Sequence, residues 1–251
     1  MSERDYKEYK ESFDSIKEHK EPTEYLKELI NLICKVLLER DRFVKNSDND
    51  EARVEFFKLL LEKIKETYQE YQNRNPEAHD ITQDIEFIGA GHTSLAFRIG
   101  DVVLKVGKEK DNWTSRLMEK YQNLPGVVPV FYNHSHMVAE HEYYSIQITP
   151  LVDTSHIEEE EVYGAYKKLR TAGYIWNDPL PENMGKIMTD FDFNGRHYQK
   201  GDIVVIDLED MAYVGETISD DVLDEISMMS YNRNTYGYEL RYIEEKEAAK
   251  K

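Results

Sequence analysis

Asp178 and Asn183 stand five residues apart in the stretch Trp176–Met184, WNDPLPENM. That spacing offers a proton acceptor and an oxygen ligand on one short loop. Asp207 ends the apolar run Ile203-Val204-Val205-Ile206 and offers a second oxygen ligand on a rigid support. Mg²⁺ takes oxygen ligands and is usually held by one or two protein carboxylates together with substrate phosphates. Upstream, Gly89, Gly91 and Ser94 form a G-x-G-x-x-S loop between two strand-like runs. Glycines lack Cβ and let backbone amides come close to a phosphate. Lys105 lies on the next strand-like run, flanked by Val103, Leu104 and Val106, where it can reach a phosphate as a point charge. The loop alone is a common turn pattern. Loop, lysine, D-x-x-x-x-N and strand-end aspartate, in that order, are the parts of a phosphoryl-transfer site.

The elements that must position these residues divide the chain by texture. Residues 1–79 read as helical, with no glycine before Gly89. Tyr6, Tyr9, Phe13 and Ile16 make one stripe. Leu26, Leu29, Ile30, Ile33 and Leu37 make a second, with Thr23 as its expected N-cap. Phe57, Leu60, Leu61, Ile64, Tyr68 and Tyr71 make a third after the polar break Asn46–Asn49, and Asn75-Pro76 ends it. From Asp84 the pattern turns to strands: Ile85–Ile88, Leu95–Ile99 and Val102–Val106, with Gly100-Asp101 as a hairpin turn. A helix over 112–123 and strands over Val127–Phe131 and Tyr143–Ile148 are expected next, then a linker over Thr149–Asp153. Beyond it come a helix over Glu158–Ala172 stopped by Gly173, a hairpin around Asp192–Gly195, the strand Ile203–Ile206 and a helix over 220–229. His134, His136 and His141 fall between the expected strands, with no matching cysteines, and read as connecting positions rather than a metal site.

Composition bounds the rest. A chain of 251 residues with 40% hydrophobic and 33% charged content reads as globular, with ample length for a core. The single cysteine, Cys34, sits in an apolar helical run, so it reads as a structural thiol suited to a reducing cytosol. The N-terminus MSERDYKEYK lacks the apolar core of a secretory signal. A net charge of -18 argues against nucleic acid or an anionic membrane as partner, both of which want basic surface.

Over residues 84–210 the sequence resembles the protein-kinase superfamily, and in detail the small bacterial and phage kinases of host-shutoff type. The resemblance rests on Gly89–Ala96 as a G-x-G-H-x-S-x-A loop, Val103–Val106 as a V-L-K-V lysine strand, and Pro125–Tyr132 as a P-G-V-x-x-V-F-Y segment. It covers roughly half of the chain. It implies an α+β, bilobal protein kinase-like fold: a five-stranded antiparallel N-lobe sheet over 80–148 and a reduced, mainly helical C-lobe over 149–251. The helical region 1–79 precedes them, either as a packed bundle or as a docking module for a partner.

The resemblance also implies ATP and Mg²⁺ as cofactors. Gly89, Ala90, Gly91, His92, Thr93 and Ser94 would cover the nucleotide phosphates, and Lys105 would contact them. Ile148 would be the gatekeeper beside adenine, with the backbone of Thr149–Leu151 as the hinge. Pro150 has no N–H, so a hinge donor would be Leu151 or a neighbour. Asp178 would accept the proton of the attacking hydroxyl, and Asn183 and Asp207 would hold Mg²⁺. The implied activity is transfer to a protein serine, threonine or tyrosine, autophosphorylation included, in a bacterial or phage-infected cytoplasm. The sequence departs from the family pattern at Trp176, where a histidine is usual, and at Asp207-Leu208-Glu209, where D-F-G is usual. No A-P-E segment follows. The helix expected after Lys105 shows Trp113, Thr114 and Ser115 where a glutamate belongs, leaving Glu119 or Glu109 as a partner for the lysine. These departures keep two alternatives open: a small-molecule kinase of the aminoglycoside or choline type, and a nucleotide-binding pseudokinase acting as an interaction module.

Overall fold

The structure is a computed structural model that describes residues 3–18, 21–40, 50–78, 80–91, 94–110, 124–140, 142–172, 174–176, 179–207 and 211–213. It divides into two units, one of Met1–Arg116 with Val130–Leu151, the other of Leu117–Pro129 with Val152–Lys251. Among the described residues no helix is long and apolar enough to cross a membrane.

In the first unit, helices α1 (Glu3–Ser15), α2 (Pro22–Arg40) and α3 (Asp50–Arg74) follow the three apolar stripes. Helix α2 starts two residues earlier than a Thr23 cap would allow, at Pro22 rather than Glu24. Pro22 takes the first helical position, where a missing N–H costs nothing, and the Glu21 carbonyl accepts from Tyr25 N–H at 3.0 Å. A one-turn helix α4 (Ile81–Asp84), capped by the Asp80 carboxylate on Thr82 N–H at 2.9 Å, leads into the sheet.

The sheet holds strands β1 (Ile85–Ala90), β2 (Ser94–Ile99), β3 (Val102–Lys110), β4 (Tyr132–Ala139) and β5 (Glu142–Pro150), in the order β1-β2-β3-β5-β4, all antiparallel. It is thus the mixed α+β architecture with a five-stranded antiparallel sheet that the sequence led us to expect. Phe87, Phe97, Leu104, Val106, Tyr144, Ile146 and Ile148 fill one face and share a single core with Phe13, Leu29, Ile33, Phe56, Leu60 and Ile64 of the helices. The Phe13 ring stacks on Phe87 at 4.9 Å and meets Phe97 edge-on at 5.0 Å. Helices α1, α2 and α3 therefore pack on this sheet as a second layer of the first unit. Two polar contacts pin the far end of α3. The Tyr68 hydroxyl donates to Asp84 at 3.2 Å, and its pKa is pushed up to about 12 by burial first and by that carboxylate second. Arg74 clasps Asp101 through two nitrogens, at 2.5 and 3.0 Å. Gly100 beside it has φ of +58°, and the Tyr71 ring lies where a Cβ would go, so the turn ahead of β3 accepts glycine alone.

Two expectations about strands are corrected here. Val127–Phe131 is not a strand: Val127 makes a single parallel bridge to Val205, and the strand is β4, Tyr132–Ala139. On β4, Tyr132, His134 and His136 pair with Ile148, Ile146 and Tyr144 and so face the helices; the His136 ring lies 6.2 Å from Phe56. Two histidines at inward positions hid the alternation. Thr149–Asp153 is not a plain linker either, because β5 runs to Pro150 and Val152–Asp153 forms strand β6.

In the second unit, β6 pairs with β8 (Met184–Ile187), which pairs with β11 (Ile203–Val205). A hairpin of β9 (Phe191–Phe193) and β10 (Arg196–Tyr198) is inserted between them. Its Asn194-Gly195 turn has both φ values positive, 49° and 75°, the geometry that a two-residue hairpin loop demands. Helix α5 (Glu159–Thr171) buries Val162, Ala165, Tyr166 and Leu169. Two further short strands, β7 (Tyr174–Trp176) and β12 (Met211–Tyr213), pair antiparallel and were not anticipated. The expected helices at 112–123 and 220–229, and the Gly173 stop, lie outside the described residues.

Candidate functional site

In the first unit the sheet register decides which residues accompany Lys105. Directly paired residues project to the same face. Lys105 pairs with Ala96 on one side and Gln147 on the other, and the row continues to Gly89 through Ala96 and to Asn133 through Gln147. Gly89 reaches this row because of a bulge at Ile88: between Phe87 and Gly89 strand β1 advances two residues against one on β2. Without it, the glycine would face the helices. A Cβ added at Gly89 would meet nothing within 4 Å, so the space beside this end of the row is open. Small residues at Gly89 and Ala96 leave the half-buried Lys105 room on the face opposite the helices.

The loop itself is a tight hairpin. Gly91 N–H donates to the Ser94 carbonyl at 2.8 Å, and a Cβ on Gly91 would come within 3.3 Å of the Ser94 hydroxyl. Gly91 therefore serves closure of the turn, and its amide is not spare for a phosphate. Ala90 pairs with Leu95 at the mouth of the hairpin, and His92 and Thr93 lie outside the described residues.

Ile148 is placed differently from the gatekeeper role. It pairs with Leu104, one residue out of step with Lys105, and packs into the helix-backed core at 6% exposure. The β5 residues on the lysine face are Gln147 and Thr149, both buried, with Thr149 opposite Val103. The reason is parity: alternate residues of a strand face opposite ways, and the segment between β3 and β5 gave no means of counting the register in advance. Leu151 is also committed elsewhere, since its N–H donates to the Asp101 carbonyl at 2.9 Å.

In the second unit, β8 and β11 bring two of the expected residues side by side. Their register runs Ile203 to Lys186, Val204 to Gly185 and Val205 to Met184. One step further, Ile206 N–H donates to the Asn183 carbonyl at 2.9 Å. Asn183 precedes β8 and closes a single 3-10 turn, Pro181–Asn183; Asp207 follows Ile206. The two residues thus emerge at the same end of one strand pair, both half-buried. Trp176, 1% exposed, is fixed by pairing with Met211 and fills an apolar position two residues ahead of Asp178. Asp178 itself lies outside the described residues, as do Trp113, Thr114, Ser115, Glu119, His141, Asn177 and Leu208–Asp210. Glu109 lies on β3 opposite Tyr143.

Among the described residues no group of three or more His, Cys, Asp or Glu could hold a metal ion. An amide oxygen and a carboxylate suit a hard cation that completes its shell with water and phosphate oxygens, so Asn183 and Asp207 fit Mg²⁺. They do not fit a metal that needs three or four protein ligands.

No protein-family pattern matches the chain, and no curated protein matches it. Among solved structures it is similar to one titled "Crystal structure of BubR1 kinase domain", at 15% identity and a TM-score of 0.35, over 54% of this chain and 48% of that one. The chain thus spans about half the length of that structure. A likeness of that size carries neither fold nor activity, which rest on the residues and pairings above.

Proposed function

We propose that this chain is a kinase that transfers the γ-phosphoryl group of ATP, with Mg²⁺, to a protein hydroxyl, its own serines, threonines or tyrosines included. The observation that carries the reading is the Ile206–Asn183 hydrogen bond, which sets Asn183 and Asp207 next to each other at one end of β8 and β11. An asparagine and an aspartate so fixed are the oxygen pair expected of a phosphoryl-transfer site. Bound Mg·ATP supplies the transferable group. Lys105, on a rigid central strand, neutralises phosphate charge. Asn183 and Asp207 hold the cation. Asp178, five residues before Asn183, orients the acceptor hydroxyl and takes its proton. Catalysis of this kind is positioning and charge neutralisation, with little covalent work for the protein.

A second reading, a nucleotide-binding module without transfer, draws on the engaged amides of Gly91 and Leu151, which leave fewer donors for a nucleotide. Calorimetric titration of ATP with and without Mg²⁺ tests what the two share. The expected result is binding that Mg²⁺ strengthens and that Asp207→Ala and Lys105→Met each weaken by about tenfold or more. Absence of Mg²⁺-dependent nucleotide binding in the wild type overturns both.

A further inference from the structure

We propose that the second unit carries a separate pocket, built around Arg196 and Lys168, that binds a phosphomonoester. A cavity of about 400 Å³ opens between helix α5, the β9–β10 hairpin and the start of β11. Pro125 and Gly126 complete its lining, and none of the lining residues has a catalytic, nucleotide-binding or metal-binding role in the phosphoryl-transfer reading.

Arg196 is the first observation. The Asn194-Gly195 turn pairs Arg196 with Phe193 and Tyr198 with Phe191, and the Phe191 and Tyr198 rings stack at 4.9 Å. Tyr198 is buried in the apolar cluster with Val128, Ile187 and Val204. Arg196 is two residues away on the same strand and so projects to that same inward face, where the alternation calls for an apolar residue. Its Nη1 is buried and has no hydrogen-bond partner among the described residues. A buried guanidinium nitrogen left unsatisfied is costly, and an anion entering the cavity removes that cost. Arg196 also walls a second, smaller cavity of about 180 Å³ with Phe193, Asn194 and Tyr198.

Helix α5 supplies the second cation. Glu161, Gly164, Ala165 and Lys168 fall at i, i+3, i+4 and i+7 and form its wall of the cavity. A Cβ on Gly164 would meet nothing within 4 Å, so the wall is hollow at its middle. Lys168, exposed, stands at its end. The acidic groups on the lining are already engaged. Glu161 pairs with Lys186 at 3.0 Å, and the Glu158 amide first and that lysine second hold its carboxyl below the usual range. Asp202 accepts the Gln199 N–H at 2.8 Å. His197 at the rim faces Asp192 at 2.9 Å. In a chain of net charge -18, an arginine and a lysine lining one cavity run against the general trend. Arginine offers a planar fork and lysine a point charge, and together they match a group carrying about two negative charges better than a single carboxylate.

Titration calorimetry on the full chain tests the proposal with a phosphoserine peptide, its unphosphorylated form, glucose 6-phosphate and acetate. At least one phosphate-bearing probe binds, and Arg196→Gln and Lys168→Gln each weaken it by about tenfold or more. Tighter binding of the phosphopeptide identifies a phosphorylated protein segment as the ligand; tighter binding of glucose 6-phosphate identifies a metabolite. Lys168 is exposed on its helix, so its variant stays folded even where Arg196→Gln does not, and circular dichroism checks both. No saturable binding of either phosphate probe at millimolar concentration overturns the proposal. So does equal affinity for acetate, or phosphate binding that both folded variants retain.

Discussion

Lys105 stands directly opposite Gln147 across strands β3 and β5, while Ile148, the next residue, turns to the other side of the sheet. The face that accompanies the lysine therefore carries Gln147, Thr149 and Val103, and the helix-backed core carries Ile148 and Leu104. Two substitutions separate the faces. Ile148→Ala opens a void in the core and lowers stability by about 2–5 kcal/mol, with ATP affinity of the folded protein unchanged. Thr149→Met adds bulk on the lysine face and weakens ATP binding by about tenfold or more, the equivalent of about 1–3 kcal/mol of overpacking. Urea titrations and ATP calorimetry on both variants check this. Affinity lost with Ile148→Ala and kept with Thr149→Met would reverse the assignment.

The helices and the sheet share one core and are expected to melt as one body. Phe13 of α1 is 2% exposed and lies against both Phe87 and Phe97. Phe13→Ala is expected to cost about 3–5 kcal/mol. Its loss shifts the urea midpoint reported by helical ellipticity and the one reported by tyrosine fluorescence together. Removing residues 1–79 exposes the apolar sheet face and leaves a product that does not fold. A soluble, cooperatively folding 80–251 fragment contradicts the shared core.

Much of this was legible in the sequence where a period was unbroken. The stripes of α2 and α3, the three strands around Gly89 and Lys105, and the Asn194-Gly195 hairpin follow from spacing and turn residues alone. Asn183 could be singled out by its five-residue spacing from Asp178, and Asp207 because it ends an apolar run. What escaped depended on register or long-range pairing. The Ile88 bulge that turns Gly89 toward Lys105, and the parity that turns Ile148 away, leave no local mark. Strand β4 was missed because His134 and His136 occupy inward positions. Strands β7 and β12 are each three residues long and find each other across a long stretch of chain. Arg196 gave no signal, since an arginine after Asn-Gly reads as an ordinary exposed hairpin residue.

One of those inward histidines, His134, makes the first unit sensitive to acid. His134 has its pKa held below the ordinary 6.5 by burial first and by neighbouring His136 second. Its surroundings on this face include the His136 ring at 6.1 Å and the Tyr132 ring, over which Lys63 sits at 4.4 Å with Glu66 bonded to its ammonium. A depressed histidine is neutral in the folded chain and takes a proton more readily when unfolded. Stability is therefore full above pH 6.5, falls as pH drops below that value, and levels off once the folded-state pKa is passed. Thermal melts across this range show the slope in the wild type and a shallower one in His134→Gln. An unchanged slope in the variant contradicts the account.

The central claim is transfer of phosphate, and incubation with γ-labelled ATP and Mg²⁺ reads it most directly. The account predicts label on the protein itself or on an added protein acceptor, lost with EDTA and reduced at least about a thousandfold in Asp178→Ala and Asp207→Ala. Label found on no protein, with Mg²⁺-dependent ATP binding intact, would contradict protein phosphorylation and leave a small-molecule kinase or a nucleotide-binding module. Label that persists in both variants would contradict the residue assignments on which the mechanism stands.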